Sequence, residues 1–177
     1  IMKKDLFIEL VQKAHKLSSM YTLADIVSAE CEELDVRGIS HRGYFASITD
    51  FKSYYDANMS LIDYKSAMSL FDEDWPIYTR TNDSCPTKYL ETASVKSSVV
   101  SNGCLIEGTI ENSILGRGCV VKPGAVVKNC VVFPGVVIAE NVHLENLVVD
   151  RRAQVIHAKE IIAPADHPGY IKREDTL

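Results

Sequence analysis

The chain has 177 residues, 46% hydrophobic and 24% charged, a globular balance that excludes disorder and collagen-like structure. Its formal charge of -5 argues against nucleic acid as the main partner, because phosphate binding depends on clustered Lys and Arg. No apolar run approaches the roughly 18 residues that span a bilayer, and the first residues lack a signal-peptide pattern, so we expect a cytoplasmic protein without a membrane partner. The five cysteines are never spaced as CxxC, which favours free thiols over disulfides or a zinc site.

Aromatic residues divide the chain near residue 92, since twelve of the fourteen Phe, Tyr and Trp precede it. Six of the nine glycines lie between Gly103 and Gly135, among many Val, Ile and Leu. Two different architectures are therefore expected. The opening "IMKKDLFIEL" is typical of a strand end that leads into a helix, so we also expect the chain to be a piece of a larger protein.

The segment 1–71 is predicted to be mixed α/β. Apolar residues at helical spacing predict a helix over Asp5–Leu17, and Thr22 is placed to cap a second one. Residues 34–45 have the pattern of a strand, a turn and a strand. A third helix is expected to open at Ser47 or Thr49. Its apolar stripe would consist of Phe51, Tyr54, Tyr55 and Met59.

Residues 72–93 have the composition of a connector. They contain Pro76, Pro86 and the turn former Asn82, with only isolated apolar residues. We expect Trp75 and its neighbours to hold this connector against an adjacent surface.

From residue 94 the sequence repeats itself. Asn112, Asn129 and Asn146 are 17 positions apart, the residues after them keep the same step, and one step earlier the spacing is 15. A coil of about 18 residues made of three six-residue sides is typical of the hexapeptide parallel β-helix, in which aliphatic residues stack inward. An antiparallel sandwich also uses short Val-rich strands, but it does not usually repeat in this way.

We therefore predict a left-handed parallel β-helix over residues 94–158, followed by a capping tail over 159–177. The three asparagines are expected to form a structural ladder at one corner, where the backbone is left-handed. The tail would fold back over the open end or reach a partner. The inward residues are expected to be Val95, Val100, Ile106, Leu115, Val121, Val132, Ile138, Val149 and Val155.

Several stretches resemble bacterial glucose-1-phosphate adenylyltransferase (ADP-glucose pyrophosphorylase). The segment "GYFASITDFKSYYDANMSLI" (43–62) is similar to the family segment GYWxDVGTxxSYxxANMDLL. "WPIYT" (75–79), "PTKY" (86–89) and "SVVSNGCLIEGTIENSIL" (98–115) resemble the family's linker and the start of its β-helix. The resemblance implies that residues 1–71 are the C-terminal part of a nucleotidyltransferase-like domain. It also implies a role in making ADP-glucose from ATP and glucose 1-phosphate for glycogen.

The resemblance supplies no catalytic residue in this chain. The family's glycine-rich nucleotide loop, first metal aspartate and sugar-phosphate lysine have no match here. The remaining metal aspartate falls at Ser47, and a neutral hydroxyl is a poor ligand for magnesium. Asp50 lies three residues further on, at the start of a helix, and is expected to cap it.

This departure is similar to that of the noncatalytic GlgD-type subunit of the family. The resemblance implies a regulatory or assembly subunit that joins a catalytic subunit, in a hetero-oligomer with four subunits, or self-associates. Mg and ATP would be bound by the catalytic partner, not by this chain.

Two alternatives stay open. An active catalytic subunit of the same family is one, because a neighbour or water can replace a lost ligand. A hexapeptide acyltransferase that uses a histidine base is the other, with His143 and His157 as its candidates.

The effector site has one sequence candidate. The resemblance implies anionic sugar-phosphate or nucleotide effectors, bound in crevices between domains and subunits. Arg suits bidentate phosphate recognition better than Lys, so Arg117 is the candidate. The basic residues on or beside the coils are Arg117, Lys122, Lys128, Arg151 and Arg152.

Overall fold

The computed structural model describes residues 1–17, 22–71, 74, 76–79 and 81–177. They form two compact units, Ile1–Arg42 and Gly43–Leu177. Trp75 and parts of the predicted connector lie outside the described residues. None of the described helices is both long and apolar enough to cross a membrane.

The first unit contains the two predicted helices, α1 (Lys4–Leu17) and α2 (Leu23–Ala29). Thr22 caps α2 as predicted: its hydroxyl oxygen accepts a hydrogen bond of 3.2 Å from the backbone N–H of Asp25. The Asp25 carboxylate accepts in return from the backbone N–H of Thr22 at 3.0 Å. This reciprocal pair satisfies two N–H groups that a helix start leaves unpaired.

The prediction of a strand, a turn and a strand over residues 34–45 is wrong. None of these residues belongs to a strand. The apolar residues Val36 and Ile39 of this segment are 54% and 88% exposed. A short strand is stable only when it is paired and covered on one face, and these residues have neither.

The second unit opens with α3 (Phe51–Ser60) and α4 (Tyr64–Leu70), of which α4 was not predicted. Neither Ser47 nor Thr49 opens α3, because Asp50 is its N-cap. The Asp50 carboxylate accepts from the backbone N–H of Ser53 at 2.7 Å, and the Ser53 hydroxyl accepts from the backbone N–H of Asp50 at 3.0 Å. Two capping acceptors three residues apart therefore fix the start of α3.

The rest of this unit is a parallel β-solenoid whose strands form three sheets. Each sheet takes every third strand, as three-sided coils require. The strands are β1 (Lys88–Tyr89), β2 (Ser94–Lys96), β3 (Val99–Val100), β4 (Leu105–Ile106), β5 (Thr109–Glu111), β6 (Ile114–Leu115), β7 (Val120–Val121), β8 (Val126–Lys128), β9 (Val131–Val132), β10 (Val137–Ile138), β11 (His143–Glu145), β12 (Leu147–Val149), β13 (Gln154–Val155), β14 (Glu160–Ile162) and β15 (Gly169–Ile171).

The strand register confirms the repeat. Val99 pairs with Ile114, a step of 15 along the chain, and Ile114 pairs with Val131, a step of 17. The next step, from Val131 to Val148, is again 17, but Val148 pairs with Tyr170, a step of 22. The last coil therefore carries an insertion between β14 and β15.

The solenoid extends past the predicted boundaries of 94–158 at both ends. β1 precedes residue 94, and β14 and β15 lie in the predicted capping tail. Instead of folding back as a separate cap, residues 159–177 continue the coil: β14 pairs with β11 and β15 pairs with β12. Parallel strands gain ladder hydrogen bonds by adding to an open end, which satisfies backbone groups that a cap would have had to cover.

The core is the stack of inward side chains. Seven of the nine predicted inward residues are buried, and Val95 and Val100, in the first coil, are half-buried against the same core. Sequence analysis named Val95 but missed the residues that follow it in the same inward column, Ile110, Val127 and Leu144, each 0% exposed. Burying columns of aliphatic residues in successive coils is what makes the coils cohere.

The asparagine ladder is confirmed. Asn112, Asn129 and Asn146 have positive φ angles of 46°, 49° and 56°. The Asn112 amide donates to the side-chain oxygen of Asn129 at 2.7 Å, and the Asn129 amide donates to that of Asn146 at 3.1 Å. Asparagine tolerates left-handed backbone, and its amide both donates and accepts, so one residue type serves three successive coils at this corner.

Candidate functional site

Ser47, at the metal-aspartate position of the resemblance, lies on an exposed segment before α3. The nearest acidic residue along the chain, Asp50, is occupied as the N-cap of α3. Two hydrogen bonds with Ser53 hold the pKa of Asp50 below its usual range. The larger contribution comes from the Ser53 backbone N–H and the smaller from the Ser53 hydroxyl. Within the described part of the chain, no three His, Cys, Asp or Glu residues are grouped to hold a metal ion. These residues do not fit a magnesium site.

A shallow apolar cavity of about 430 Å³ flanks Ser47 without including it. Phe45 and Ile48, on either side of Ser47, line this cavity and are 80% and 58% exposed. Its lining contains no charged side chain, so its chemistry does not suit a phosphate ligand.

The arginine predicted as an effector contact lies at a corner of the solenoid. Arg117, Pro134 and Arg151 follow one another at the 17-position step of the repeat and therefore occupy the same position in three successive coils. Backbone hydrogen bonds join the coils here: the N–H of Gly135 donates to the carbonyl of Arg117 at 2.9 Å, and that of Arg152 to the carbonyl of Pro134 at 3.1 Å. The repeat thus brings Arg117 and Arg151 to one face of the solenoid.

The neighbouring position of this corner requires a left-handed backbone. Gly118 and Gly135 fill it in two coils, with φ angles of 68° and 76°. Arg152 fills it in the next coil, with φ of 58°. An arginine costs about 1 kcal/mol or more in this conformation, which glycine adopts freely. The chain therefore places a third guanidinium here at a cost to the backbone.

These arginines line a cavity of about 500 Å³, which we call the arginine corner; its lining residues are Thr81, Asn82, Arg117, Pro134, Arg151 and Arg152. A second cavity of about 500 Å³ adjoins it and shares Arg117 and Arg152. Three guanidinium groups and two polar side chains are well suited to hold phosphate oxygens, because guanidinium binds them bidentately.

Three of the five basic residues on or beside the coils form ion pairs with described side chains, and two do not. The ammonium groups of Lys122 and Lys128 lie 3.5 and 3.6 Å from the carboxylates of Glu107 and Glu145, away from the corner. Arg152 lies 3.5 Å from the Glu174 carboxylate, where both side chains are more than half exposed. In the ranges that the structure describes, Arg117 and Arg151 form no ion pair.

Sequence analysis named Arg117 and missed that Arg151 and Arg152 join it. The signal was present, since Arg151 lies two repeat steps after Arg117. Thr81 and Asn82 carried no such signal, because they precede the repeat.

The two histidines considered as acyltransfer bases do not share a site. His143 lies on β11, 3.6 Å from the Glu145 carboxylate and 3.5 Å from that of Glu160. His157 is exposed and follows β13, a strand that belongs to a different sheet from β11. Neither lines the arginine corner.

Helix α3 packs on the outer face of the sheet that contains β9 and β12. Tyr55 of α3 is 6% exposed and packs with Val131 and Val148, which point outward. Its hydroxyl donates to the backbone carbonyl of Asn129 at 2.7 Å. Burial raises the pKa of Tyr55 to about 12. The segment 43–62 thus forms a helix that is held against the solenoid.

Comparisons with known proteins agree with this architecture. A protein-family model described as "GlmU-like, C-terminal hexapeptide" matches residues 85–167. The chain is 35% identical to "Glycogen biosynthesis protein GlgD" of Bacillus subtilis (strain 168), over 96% of this chain and 48% of that protein. The resemblance to the GlgD-type branch of the adenylyltransferase family is confirmed.

Proteins named "Glucose-1-phosphate adenylyltransferase" match a shorter part of the chain. The protein of Geobacillus stearothermophilus is 41% identical over 49% of this chain and 22% of its own length. That of Bacillus thuringiensis (strain Al Hakam) is 36% identical over 69% of this chain and 32% of its own length. The chain spans about half the length of the GlgD protein. It spans a smaller share of the two adenylyltransferases.

Proposed function

We propose that this chain is the C-terminal portion of a regulatory and assembly subunit of glucose-1-phosphate adenylyltransferase, acting in glycogen biosynthesis in the cytoplasm. The observation that carries the proposal is Ser47, an exposed neutral residue with its nearest acid, Asp50, used as a helix cap. The resemblance implies a metal-binding aspartate at this position, and magnesium that acts on ATP prefers anionic oxygen ligands. The similarity to GlgD over nearly the whole chain supports the same proposal.

The proposed partner is a catalytic subunit of the same enzyme, in a hetero-oligomer of four subunits. Mg and ATP would be bound by that partner. Residues 1–71 would be the end of a nucleotidyltransferase-like domain, and the solenoid a left-handed β-helix, as the family resemblance implies. The alternative is self-association, which light scattering of the protein without a partner distinguishes from a mixed assembly.

We assign the arginine corner as the site of an anionic effector, a sugar phosphate or a nucleotide. Arg117 and Arg151 are the guanidinium groups available to it, because the described acidic side chains leave them without an ion pair. The site lies on the solenoid and its lining does not include Ser47, so its ligand would act through the assembly. Arg117→Glu is expected to abolish the response to the effector, with Lys122→Glu as a matched control away from the corner.

The decisive assay measures pyrophosphate release from ATP and glucose 1-phosphate in the presence of magnesium. The protein that carries this chain is expected to be inactive alone and to change the rate or effector response of the catalytic subunit when mixed with it. Robust magnesium-dependent release by the protein alone contradicts the proposal. If that activity is also insensitive to Ser47→Asp, the active-subunit alternative is supported.

A further inference from the structure

The arginine corner has an acidic neighbour, Asp150, which attracts Arg151 electrostatically but forms no ion pair with it among the described residues. Asp150 directly precedes Arg151 and Arg152, and both of its carboxylate oxygens are already engaged. One accepts from the backbone N–H of Arg151 at 2.6 Å. The other accepts from the hydroxyl of Tyr170 at 2.6 Å. The carboxylate is therefore tied down at two points beside the corner without lining it.

Tyr170 reaches Asp150 from the last coil of the solenoid. It lies on β15, in register with Val148 of β12, so its ring stands on the outer face of the sheet. On that face the ring meets Phe51 of α3, edge to face, with ring centroids 5.9 Å apart. Aromatic pairs prefer this arrangement, so the contact favours one orientation of the tyrosine ring. The helix and the acidic residue thus hold opposite parts of one side chain.

The electrostatic consequence concerns Arg151. Asp150 is the nearest acidic residue to Arg151 along the chain, and the two side chains attract each other. A hydrogen bond from a tyrosine hydroxyl to a carboxylate is charge-assisted and stronger than one between neutral groups. Rotation of the Asp150 carboxylate toward Arg151 would break this hydrogen bond. The bond therefore disfavours an Asp150–Arg151 ion pair, and the guanidinium remains available to another anion.

We propose that the Tyr170 hydroxyl holds the Asp150 carboxylate away from the Arg151 guanidinium and so keeps the arginine corner open to a phosphate-bearing ligand. The inference rests on the proposed anion site and adds the residue that keeps it free. Tyr170 is a positioning residue: it acts through Asp150 and does not touch the ligand. The Phe51 contact places α3, which makes up half of the family-like segment 43–62, next to Tyr170.

The test measures the affinity for inorganic phosphate by calorimetry, with the protein that carries this chain in assembly with its partner. Tyr170→Phe is expected to weaken phosphate binding about two- to fivefold, as expected for a new exposed ion pair between Asp150 and Arg151. Tyr89→Phe is the matched control, because Tyr89 is also 52% exposed and has no hydroxyl bond among the described residues. It should leave the affinity unchanged.

Rescue separates positioning from simple destabilisation. Asp150→Asn combined with Tyr170→Phe should restore phosphate affinity to the original value or above it, because an amide cannot neutralise Arg151. Thermal melting of each variant reports any loss of structure separately. A Tyr170→Phe protein that binds phosphate normally overturns the inference, and so does a double variant that binds no better than Tyr170→Phe.

The variant Arg117→Ala distinguishes this failure from a failure of the proposed site. If Arg117→Ala weakens phosphate binding and Tyr170→Phe does not, only the role of Tyr170 is wrong. If Arg117→Ala leaves phosphate binding unchanged, the arginine corner is not the anion site, and both proposals fall.

Discussion

The hydroxyl of Tyr55 in α3 donates a hydrogen bond of 2.7 Å to the backbone carbonyl of Asn129, the central rung of the asparagine ladder. This bond joins the family-like segment to the repeat across 74 positions of sequence. It also satisfies a carbonyl at a corner where the backbone is left-handed. The helix is therefore held against the solenoid by a specific polar contact as well as by apolar packing.

Replacing Tyr55 by Phe should lower the free energy of unfolding by about 1–2 kcal/mol, because a partly buried carbonyl loses its donor. Urea unfolding followed by circular dichroism measures the change. Tyr64→Phe is the control, since Tyr64 is 77% exposed and should change stability by less than about 0.5 kcal/mol. Equal effects of the two substitutions would contradict the assigned contact.

The same tyrosine makes a prediction for alkaline pH. Its pKa is raised by burial to about 12 from an ordinary value of 10.0, so the folded state holds the proton more tightly than the unfolded state. This contribution is fully present below pH 10 and is lost as the pH rises toward 12. Between these values the original protein should lose stability faster than Tyr55→Phe. Parallel curves for the two proteins would show that the hydroxyl is not buried.

The asparagine ladder predicts that two substitutions at Asn129 destabilise the protein by different amounts. Asn129→Gly loses the side-chain bonds but keeps the backbone freedom, and should cost about 1–2 kcal/mol. Asn129→Ala loses both and should cost about 2–3 kcal/mol, because a Cβ is strained at positive φ. Chemical unfolding of both variants gives the comparison. An alanine variant as stable as the glycine variant would rule out backbone strain as the reason for asparagine here.

Arg152 is predicted to affect ligand binding more than stability. Arg152→Gly relieves a strain of about 1 kcal/mol at positive φ, roughly offset by the greater freedom of glycine in the unfolded chain and by the lost pair with Glu174. The melting temperature should therefore change by only a few degrees, while phosphate affinity falls. Calorimetry and thermal melting on one preparation measure both quantities. Unchanged affinity would show that Arg152 is not at the corner to bind an anion.

The cysteines predict two classes of thiol reactivity. Cys31 and Cys85 are exposed, whereas Cys104, Cys119 and Cys130 are buried. Burial also raises the pKa of Cys130 to about 12, so little thiolate forms at neutral pH. Alkylation with iodoacetamide, followed by peptide mass spectrometry, should label the first two quickly and the other three only on unfolding. Rapid labelling of Cys130 in the native protein would contradict its position in the core.

Much of the solenoid is predictable from sequence because its order is local. The spacing of Asn112, Asn129 and Asn146 fixes the coil length, and the coil length fixes the inward columns. The long last step escaped prediction because the insertion that ends near Pro168 interrupts the period. The error at residues 34–45 has the opposite cause, since β-branched residues such as Val36 and Ile39, next to glycine turn formers, suggest strands, but no partner strand among the described residues pairs with them.

The candidate site was only partly predictable. The arginine corner follows from the period, because Arg117 and Arg151 are two coils apart, but Arg152 is recognised only when its left-handed backbone is compared with Gly118 and Gly135. The contact between Tyr170 and Asp150 depends on the length of the last coil. That length could not be predicted from the repeat, because the last step is 22 residues long. Asp50 was correctly expected to be structural, as its position at a helix start indicated.

The central claim is that this subunit contributes regulation and assembly but does not catalyse adenylyl transfer. It is tested most directly by an assembly of the protein that carries this chain with a catalytic partner whose own metal-binding aspartate has been replaced. Magnesium-dependent pyrophosphate release from ATP and glucose 1-phosphate is measured, with the unaltered partner as the positive control. The account predicts activity in the control and none in the assembly with the altered partner. Sustained release from that assembly would show that this subunit is itself catalytic and would contradict the account.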